Sequence, residues 1–121
     1  LEPFGTADIA IDGPELRVKP QVSLSLALVA HELATNASKY GSLSKDGGRV
    51  EVSWATEDGL FRLTWREQGG PPVAEPETTG FGFELLHGEI VYRLQGKLDI
   101  AYDPSGLSVR IELPIKNQEP A

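Results

Sequence analysis

Three polar side chains recur at helical spacing in the first half of the sequence. Glu32, Asn36 and Lys39 stand at positions i, i+4 and i+7, with Tyr40 at their edge, so on a helix they form one ridge. A carboxylate, a carboxamide oxygen and an ammonium in one row can hold a divalent cation and the phosphates that it bridges, and oxygen ligands suit magnesium. The alternative is an exposed polar face in which Glu32 and Lys39 only support the helix, and the ridge alone favours that alternative.

Two further segments offer groups that could contact a nucleotide. Gly80-Phe81-Gly82 stands immediately before a predicted helix, where two glycines allow close approach to free amides that attract an anion. Glu67 follows a strand and precedes Gln68-Gly69-Gly70-Pro71-Pro72, so its carboxylate could accept a hydrogen bond from an exocyclic amine while the small residues leave room for a flat base. Taken singly, each segment has a plainer interpretation, because glycines often only shape a loop and Gly-Pro sequences form ordinary turns.

Hydrophobic periodicity predicts the elements that position these residues. Residues 9–11 and 16–18 alternate around Gly13-Pro14 and predict a short hairpin. A helix is predicted from Pro20 to Tyr40, with Pro20 in its first turn and Gly41 in the left-handed position just past its end. Its apolar stripe, expected to face the core, consists of Val22, Leu26, Val29, Ala30, Leu33 and Ala37.

The second half of the sequence alternates hairpins with one more helix. The predicted segments are strands over 50–54 and 60–65 around Asp58-Gly59, a surface loop over 68–80, a helix over 83–94 ending near Gly96, and strands over 98–102 and 107–113. The order of two strands, helix, two strands, helix and two strands predicts an α/β (α+β) two-layer sandwich, in which a mostly antiparallel mixed sheet is covered on one face by helices.

Composition limits the classes of protein that the chain can represent. Its 121 residues, 40% hydrophobic, fit one domain, and we expect a core over residues 6–114 and a frayed tail over 115–121. A net charge of −7 argues against a general nucleic-acid binder. The absence of cysteine excludes disulfides and thiolate metal sites. Lacking any long apolar run, the chain is expected to be a soluble, cytoplasmic fragment, and its start at Leu1 without any methionine suggests a longer parent.

The histidines and tryptophans each have a structural interpretation beside a functional one. His31 shares a ridge with Leu24, Leu28 and Thr35, turned away from the apolar stripe, so a structural hydrogen bond or an interdomain contact is as well supported as catalysis. His87, in the second predicted helix, is interpreted as a partly buried or surface residue. Trp54 and Trp65 are interpreted first as core or sheet-face residues and only second as groups that stack on a base.

Three segments, taken together and in order, resemble the motifs of the HWE group of histidine kinases, within the GHKL ATPase superfamily. Residues 31–41, HELATNASKYG, resemble its N box, including the histidine that gives the group its first letter. Trp65-Arg66-Glu67 resembles its W-x-E motif, residues 67–71 stand where the wider superfamily has D-x-G-x-G, and residues 80–82 resemble the second glycine box. The resemblance extends from about Val18 to Pro114 and implies the Bergerat-type ATP-binding fold.

The resemblance implies a role for each matching residue around the phosphates. Asn36 would hold the metal ion, Glu32 would position the metal shell or a water molecule, and Lys39 would meet phosphate. As the signature of the group, His31 would be a candidate for catalysis. The segment Gly80-Phe81-Gly82 would hold the phosphates and the loop before them.

Around the base and ribose, the resemblance implies four further contacts. Glu67 would read the adenine amino group, and Gly69 would let the base approach. Tyr40 would lie near the ribose or the phosphates, and Ser108 resembles a Ser/Thr that contacts adenine. Glu67 stands where the wider superfamily has an aspartate. The loop between residues 70 and 80, which would form the lid over the nucleotide, is short.

The function that the resemblance implies is that of the ATP-binding catalytic domain of a two-component sensor histidine kinase. With ATP and Mg2+, it would transfer the γ-phosphoryl group to a histidine on a dimerisation segment outside this chain, since neither His31 nor His87 stands in the context of a phosphoacceptor. Expected partners are that segment, the parent's sensor domain and a response regulator, with a homodimeric parent and a monomeric fragment. The alternatives are a non-catalytic nucleotide-binding regulatory or interaction module of the same fold, and a scaffold that has lost nucleotide binding.

Overall fold

Five strands and two α-helices make up the part of the chain that the computed structural model describes, which is residues 9–15, 17–72 and 81–114. The elements in chain order are β1 (Ile9–Asp12), α1 (Pro20–Lys39), β2 (Arg49–Glu57), β3 (Leu60–Gln68), α2 (Phe81–His87), β4 (Lys97–Asp103) and β5 (Gly106–Pro114). A 3-10 turn, Ser42–Ser44, follows α1, and a π-helical segment, Gly88–Arg93, continues α2. The predicted tail over 115–121 lies outside the described residues.

The strands form one sheet in the order β1-β2-β3-β5-β4. Only β1 and β2 pair in parallel, and the other three pairs are antiparallel. Asp58 and Gly59 have φ angles of 53° and 76°, the left-handed pair that a two-residue hairpin favours. Both later hairpins and the mixed, mostly antiparallel sheet are thus confirmed.

The core lies between one face of this sheet and the two helices. On β5 the buried residues Val109, Ile111 and Leu113 alternate with more exposed ones, because successive side chains of a strand point to opposite faces. The predicted stripe on α1 is confirmed at Val22, Val29, Leu33 and Ala37, with Leu26 partly buried. Ala30 is the exception, since it is exposed while Ser25 and Ala34 are buried.

The helices begin and end close to the predicted residues. Pro20 occupies the first turn of α1, where its missing N–H has no partner to lose. The second predicted helix is divided into α2 and the π-helical segment, where the Leu94 amide donates to the Glu89 carbonyl five residues back. Among the described residues, no helix is long and apolar enough to cross a membrane.

The first predicted hairpin is wrong. Instead of turning into a second strand, the chain after β1 leaves the sheet, and β1 pairs in parallel with β2. Gly13 lies so close to Trp54 that a Cβ there would stand 2.3 Å from the indole ring, and the Trp54 indole N–H donates to the Pro14 carbonyl at 2.7 Å. Packing over Trp54 therefore replaces the turn that Gly13-Pro14 predicted.

Candidate functional site

A cavity of about 230 Å³ lies where the end of α1 meets the end of β3. It brings together Asn36 and Tyr40 of α1's carboxyl end with Glu67 of β3, three residues that the sequence predicted as one site. Its full lining is Asn36, Tyr40, Gly41, Glu67, Pro72, Tyr102 and Leu107. Tyr102 and Leu107 were not predicted as site residues, and Pro72 was predicted only as part of the turn that follows Glu67.

Glu67 is the most constrained group of this cavity. It is only 5% exposed, yet its carboxylate accepts two hydrogen bonds from the protein. The Trp65 indole N–H donates to Oε2 at 2.9 Å, and the Ser42 backbone N–H donates to Oε1 at 3.2 Å. A buried carboxylate needs such donors, because an unpaired one would lose its hydration without compensation.

Glycine is required at position 41 because the Glu67 carboxylate lies close to it, and not because of the backbone angle of residue 41. Its φ is −105°, so the predicted left-handed position past the end of α1 is wrong. A Cβ at this position would stand 2.2 Å from Glu67 Oε1, well inside van der Waals contact. The glycine therefore leaves room for the Glu67 side chain beside the end of α1.

Asn36 is held by Glu32, one turn earlier on α1. The Asn36 Nδ2 group donates to Glu32 Oε2 at 2.9 Å. Since an ionised carboxylate can only accept, this bond fixes the carboxamide with Nδ2 toward Glu32 and leaves its carbonyl oxygen for other contacts. A carboxamide oxygen presented at the edge of a cavity is a suitable ligand for a hard cation such as Mg2+.

Several predicted site residues lie outside the lining of the cavity. Lys39, the last residue of α1, and His31, earlier on it, are both exposed. Gly69 has a φ of +78°, and a Cβ there would stand 2.8 Å from the Gly47 carbonyl oxygen, so glycine is needed for the turn itself. Phe81 and Gly82 open α2, whereas Gly80 lies outside the described residues.

Ser108 is not brought to this cavity. The register pairs Ser108 with Arg66 and Val109 with Trp65, so the Ser108 side chain shares the exposed face of Arg66, opposite to Glu67. Leu107 is the residue of β5 that lines the cavity.

The turn between β4 and β5, beside Leu107, is held by Asp103. Its Oδ1 accepts from the Ser105 hydroxyl and amide at 2.7 and 2.9 Å, and these bonds lower the pKa of the Asp103 carboxyl.

Two larger cavities elsewhere are less suited to a nucleotide. One of about 400 Å³ lies on the open face of the sheet, where Arg62 pairs with Glu112 at 2.9 Å and with Glu57 at 3.3 Å; the bond to Glu112 raises the pKa of Arg62. The charge of Arg62 is thus partly neutralised, and neither Asn36 nor Glu67 lines this cavity. The other, of about 390 Å³, lies between α1 and the sheet among almost entirely apolar side chains such as Leu26 and Trp54, which cannot neutralise phosphates.

Comparison with known proteins shows which class of protein this chain resembles. No protein-family model matches the chain. Blue-light-activated histidine kinase 1 of Erythrobacter litoralis is 42% identical over 114 residues, which cover 92% of this chain and 31% of that protein. A blue-light-activated histidine kinase of Brucella anthropi is 40% identical over 122 residues, covering 95% of this chain and 25% of that protein. The chain thus spans between a quarter and a third of the length of these relatives.

Solved structures agree on the fold. The histidine kinase domain of a blue-light-activated histidine kinase from Erythrobacter litoralis matches with a TM-score of 0.78 at 20% identity, over 95% of this chain and 55% of that one. The histidine kinase ThkA, solved in complex with the response regulator protein TrrA, matches with a TM-score of 0.65 at 20% identity, over 89% of this chain and 34% of that one.

Fold and sequence together define the chain as a histidine kinase catalytic domain of a two-component system, a class that implies ATP as the nucleotide. Within that class it belongs with the HWE-like catalytic domains of the blue-light-activated histidine kinases, which confirms the resemblance drawn from its three motifs.

Proposed function

We propose that this domain binds ATP together with Mg2+ in the cavity lined by Asn36, Tyr40 and Glu67, and presents the γ-phosphoryl group to a histidine on a dimerisation segment outside the chain. The attacking imidazole would belong to that segment, so the domain's own contribution is to position the nucleotide and to neutralise its charge. A sensor domain would regulate the parent protein, a response regulator would receive the phosphoryl group, and the domain would act in the cytoplasm.

The observation that carries this proposal is the single cavity that joins the end of α1 to Glu67. At one side, the carboxamide oxygen of Asn36 is left for a cation by the bond from Nδ2 to Glu32. At the other, the Glu67 carboxylate is fixed by Trp65 and Ser42 as a group that accepts a hydrogen bond. These donors and acceptors fit a magnesium-bound nucleotide whose base carries an amino group.

Within this proposal each side chain has a distinct role. Asn36 would hold Mg2+, which would neutralise part of the phosphate charge, with phosphate and water oxygens completing its ligands. Tyr40, 74% exposed at the mouth of the cavity, would cover the ribose or phosphates. Lys39, exposed beside it, would reach the phosphates from the rim, and the start of α2 at Phe81 and Gly82 would supply backbone amides.

Calorimetric titration of magnesium-ATP tests the proposal. The chain and Ser38→Ala, an exposed change on the same helix, should bind equally, whereas Asn36→Ala should bind at least about tenfold more weakly because a ligand of the metal is lost. Thermal unfolding of all three proteins checks that each is folded. Equal heats for the chain and Asn36→Ala, or none for any of them, would contradict the proposal.

A second measurement separates a kinase domain from a nucleotide-binding module without catalytic activity. Labelled γ-phosphate should transfer to an added dimerisation segment of the parent protein, and Asn36→Ala should abolish this transfer. Nucleotide binding without transfer would favour the regulatory module.

A further inference from the structure

Trp65 and Glu67 form a buried pair on one face of β3. They are two residues apart on the strand, so their side chains point the same way, and they are only 4% and 5% exposed. The indole N–H of Trp65 donates to Glu67 Oε2 at 2.9 Å. An indole nitrogen can only donate, so the oxygen that it contacts must act as an acceptor.

The other oxygen of Glu67 is constrained from the opposite side. The Ser42 amide donates to Oε1 at 3.2 Å, and Gly41 lies so close that a Cβ would stand 2.2 Å from the same oxygen. With one donor on each oxygen, rotation of the carboxylate would break at least one buried hydrogen bond. Glu67 is therefore held as an acceptor in one orientation, at the wall of the cavity that Asn36 and Tyr40 also line.

A group that can only accept distinguishes two kinds of purine. A 6-amino purine presents an N–H donor at the position where a 6-oxo purine presents an oxygen, and that oxygen would be repelled by a carboxylate. We propose that Trp65 is a positioning residue that fixes the Glu67 carboxylate and so sets the preference of this site for a 6-amino over a 6-oxo purine. The inference rests on the proposed function, because it presumes that the base of the nucleotide meets Glu67.

The experiment compares the affinities for ATP and inosine triphosphate, whose purines differ at position 6 and in the hydrogen that hypoxanthine carries on N1. Trp65→Phe keeps an aromatic ring but removes the N–H. Its ATP-to-inosine triphosphate affinity ratio should fall about tenfold to a hundredfold below that of the unchanged chain, the factor for one hydrogen bond to a charged group. Most of the fall should come from weaker ATP binding.

The chain contains its own matched control. Trp54→Phe removes the other indole N–H, which donates to the Pro14 carbonyl at 2.7 Å. Trp54 stands four residues along β2 from Val50, the partner of Glu67, or about 13 Å away. This variant should keep the affinity ratio of the unchanged chain.

Gly41→Ala gives a second route to the same answer if Trp65→Phe does not fold. Its methyl group would displace the Glu67 carboxylate while leaving the Trp65 side chain intact, and this variant too should lower the ratio. An unchanged ratio in a folded Trp65→Phe or Gly41→Ala, or equal weakening of both nucleotides, would overturn the inference while leaving ATP binding itself established. Failure of the unchanged chain to bind either nucleotide would overturn the proposed function as well.

Discussion

At the scale of single residues, Glu32 determines how Asn36 faces the site. Its carboxylate accepts from Asn36 Nδ2 at 2.9 Å, which keeps the carboxamide oxygen available to a cation. Glutamine at position 32 could donate as well as accept, so Asn36 would be free to present its nitrogen to the cation instead. A substitution of Glu32 should therefore change nucleotide binding only when magnesium is present.

Glu32→Gln is expected to weaken ATP binding about tenfold in the presence of magnesium, equivalent to roughly 1.4 kcal/mol, and to leave binding in a chelator unchanged. Titrations with and without magnesium measure both values. His31→Gln, a change at the exposed neighbouring position, serves as the control and should alter neither. Equal weakening with and without magnesium would show that Glu32 acts on the nucleotide or on folding and not through the metal.

The sequence predicted which residues line the candidate site better than it predicted the contacts that hold them in place. Asn36, Tyr40 and Glu67 do line one cavity, as helical spacing and the motifs indicated. The bond from Trp65 to Glu67 was not predicted, because a tryptophan on a buried strand is first a core residue. The alternation of side chains along β5 could have excluded Ser108 from the site. The buried face of this strand carries Val109, Ile111 and Leu113, and Ser108 belongs to the other face.

At the scale of elements, a partly buried hydrogen bond ties the π-helical segment Gly88–Arg93 to α1. The hydroxyl of Ser25, 1% exposed, donates to Glu89 Oε1 at 2.6 Å. Arg93 approaches the same oxygen at 3.1 Å but has a side chain that is 63% exposed. The tie holds α1, which carries Asn36, against the segment that continues α2.

Glu89→Ala should lower the free energy of unfolding by about 1–3 kcal/mol, because it leaves the buried Ser25 hydroxyl without its partner. Arg93→Ala removes only an exposed ion pair and should cost at most about 1 kcal/mol. Denaturant unfolding of both variants gives the two values. A loss for Arg93→Ala as large as that for Glu89→Ala would mean that the ion pair within the π-helical segment, and not the bond between Ser25 and Glu89, accounts for the lost stability.

Local signals predicted most elements, and the exceptions arise from contacts distant in sequence. Proline at the start of α1 and the Asp58-Gly59 turn act through their own backbone angles, so their sequence is sufficient. After the parallel pairing of β1 with β2, the chain is held instead by Trp54, which packs over Gly13 and donates to the Pro14 carbonyl 40 residues away. No local sequence pattern indicates a contact between residues so far apart.

At the scale of the whole molecule, the order of the strands explains why the site lies where it does. β3 is the middle strand, between β2 and β5, so Glu67 near its end is flanked by β5, which contributes Leu107 to the cavity. Packing of α1 across the same face brings Asn36 and Tyr40 to this point. Segments separated in sequence thereby form one cavity, with a side suited to a metal ion and a side suited to a base.

Nuclear magnetic resonance of the 15N-labelled chain during titration with magnesium-ATP tests this central claim most directly. The indole N–H of Trp65 and the backbone amide of Ser42 both donate to Glu67, so their resonances should shift together as the site fills. The indole of Trp54, which donates to Pro14, should stay in place. Shifts confined to the open face around Arg62, Lys97 and Arg110, or no shifts at all, would contradict the account.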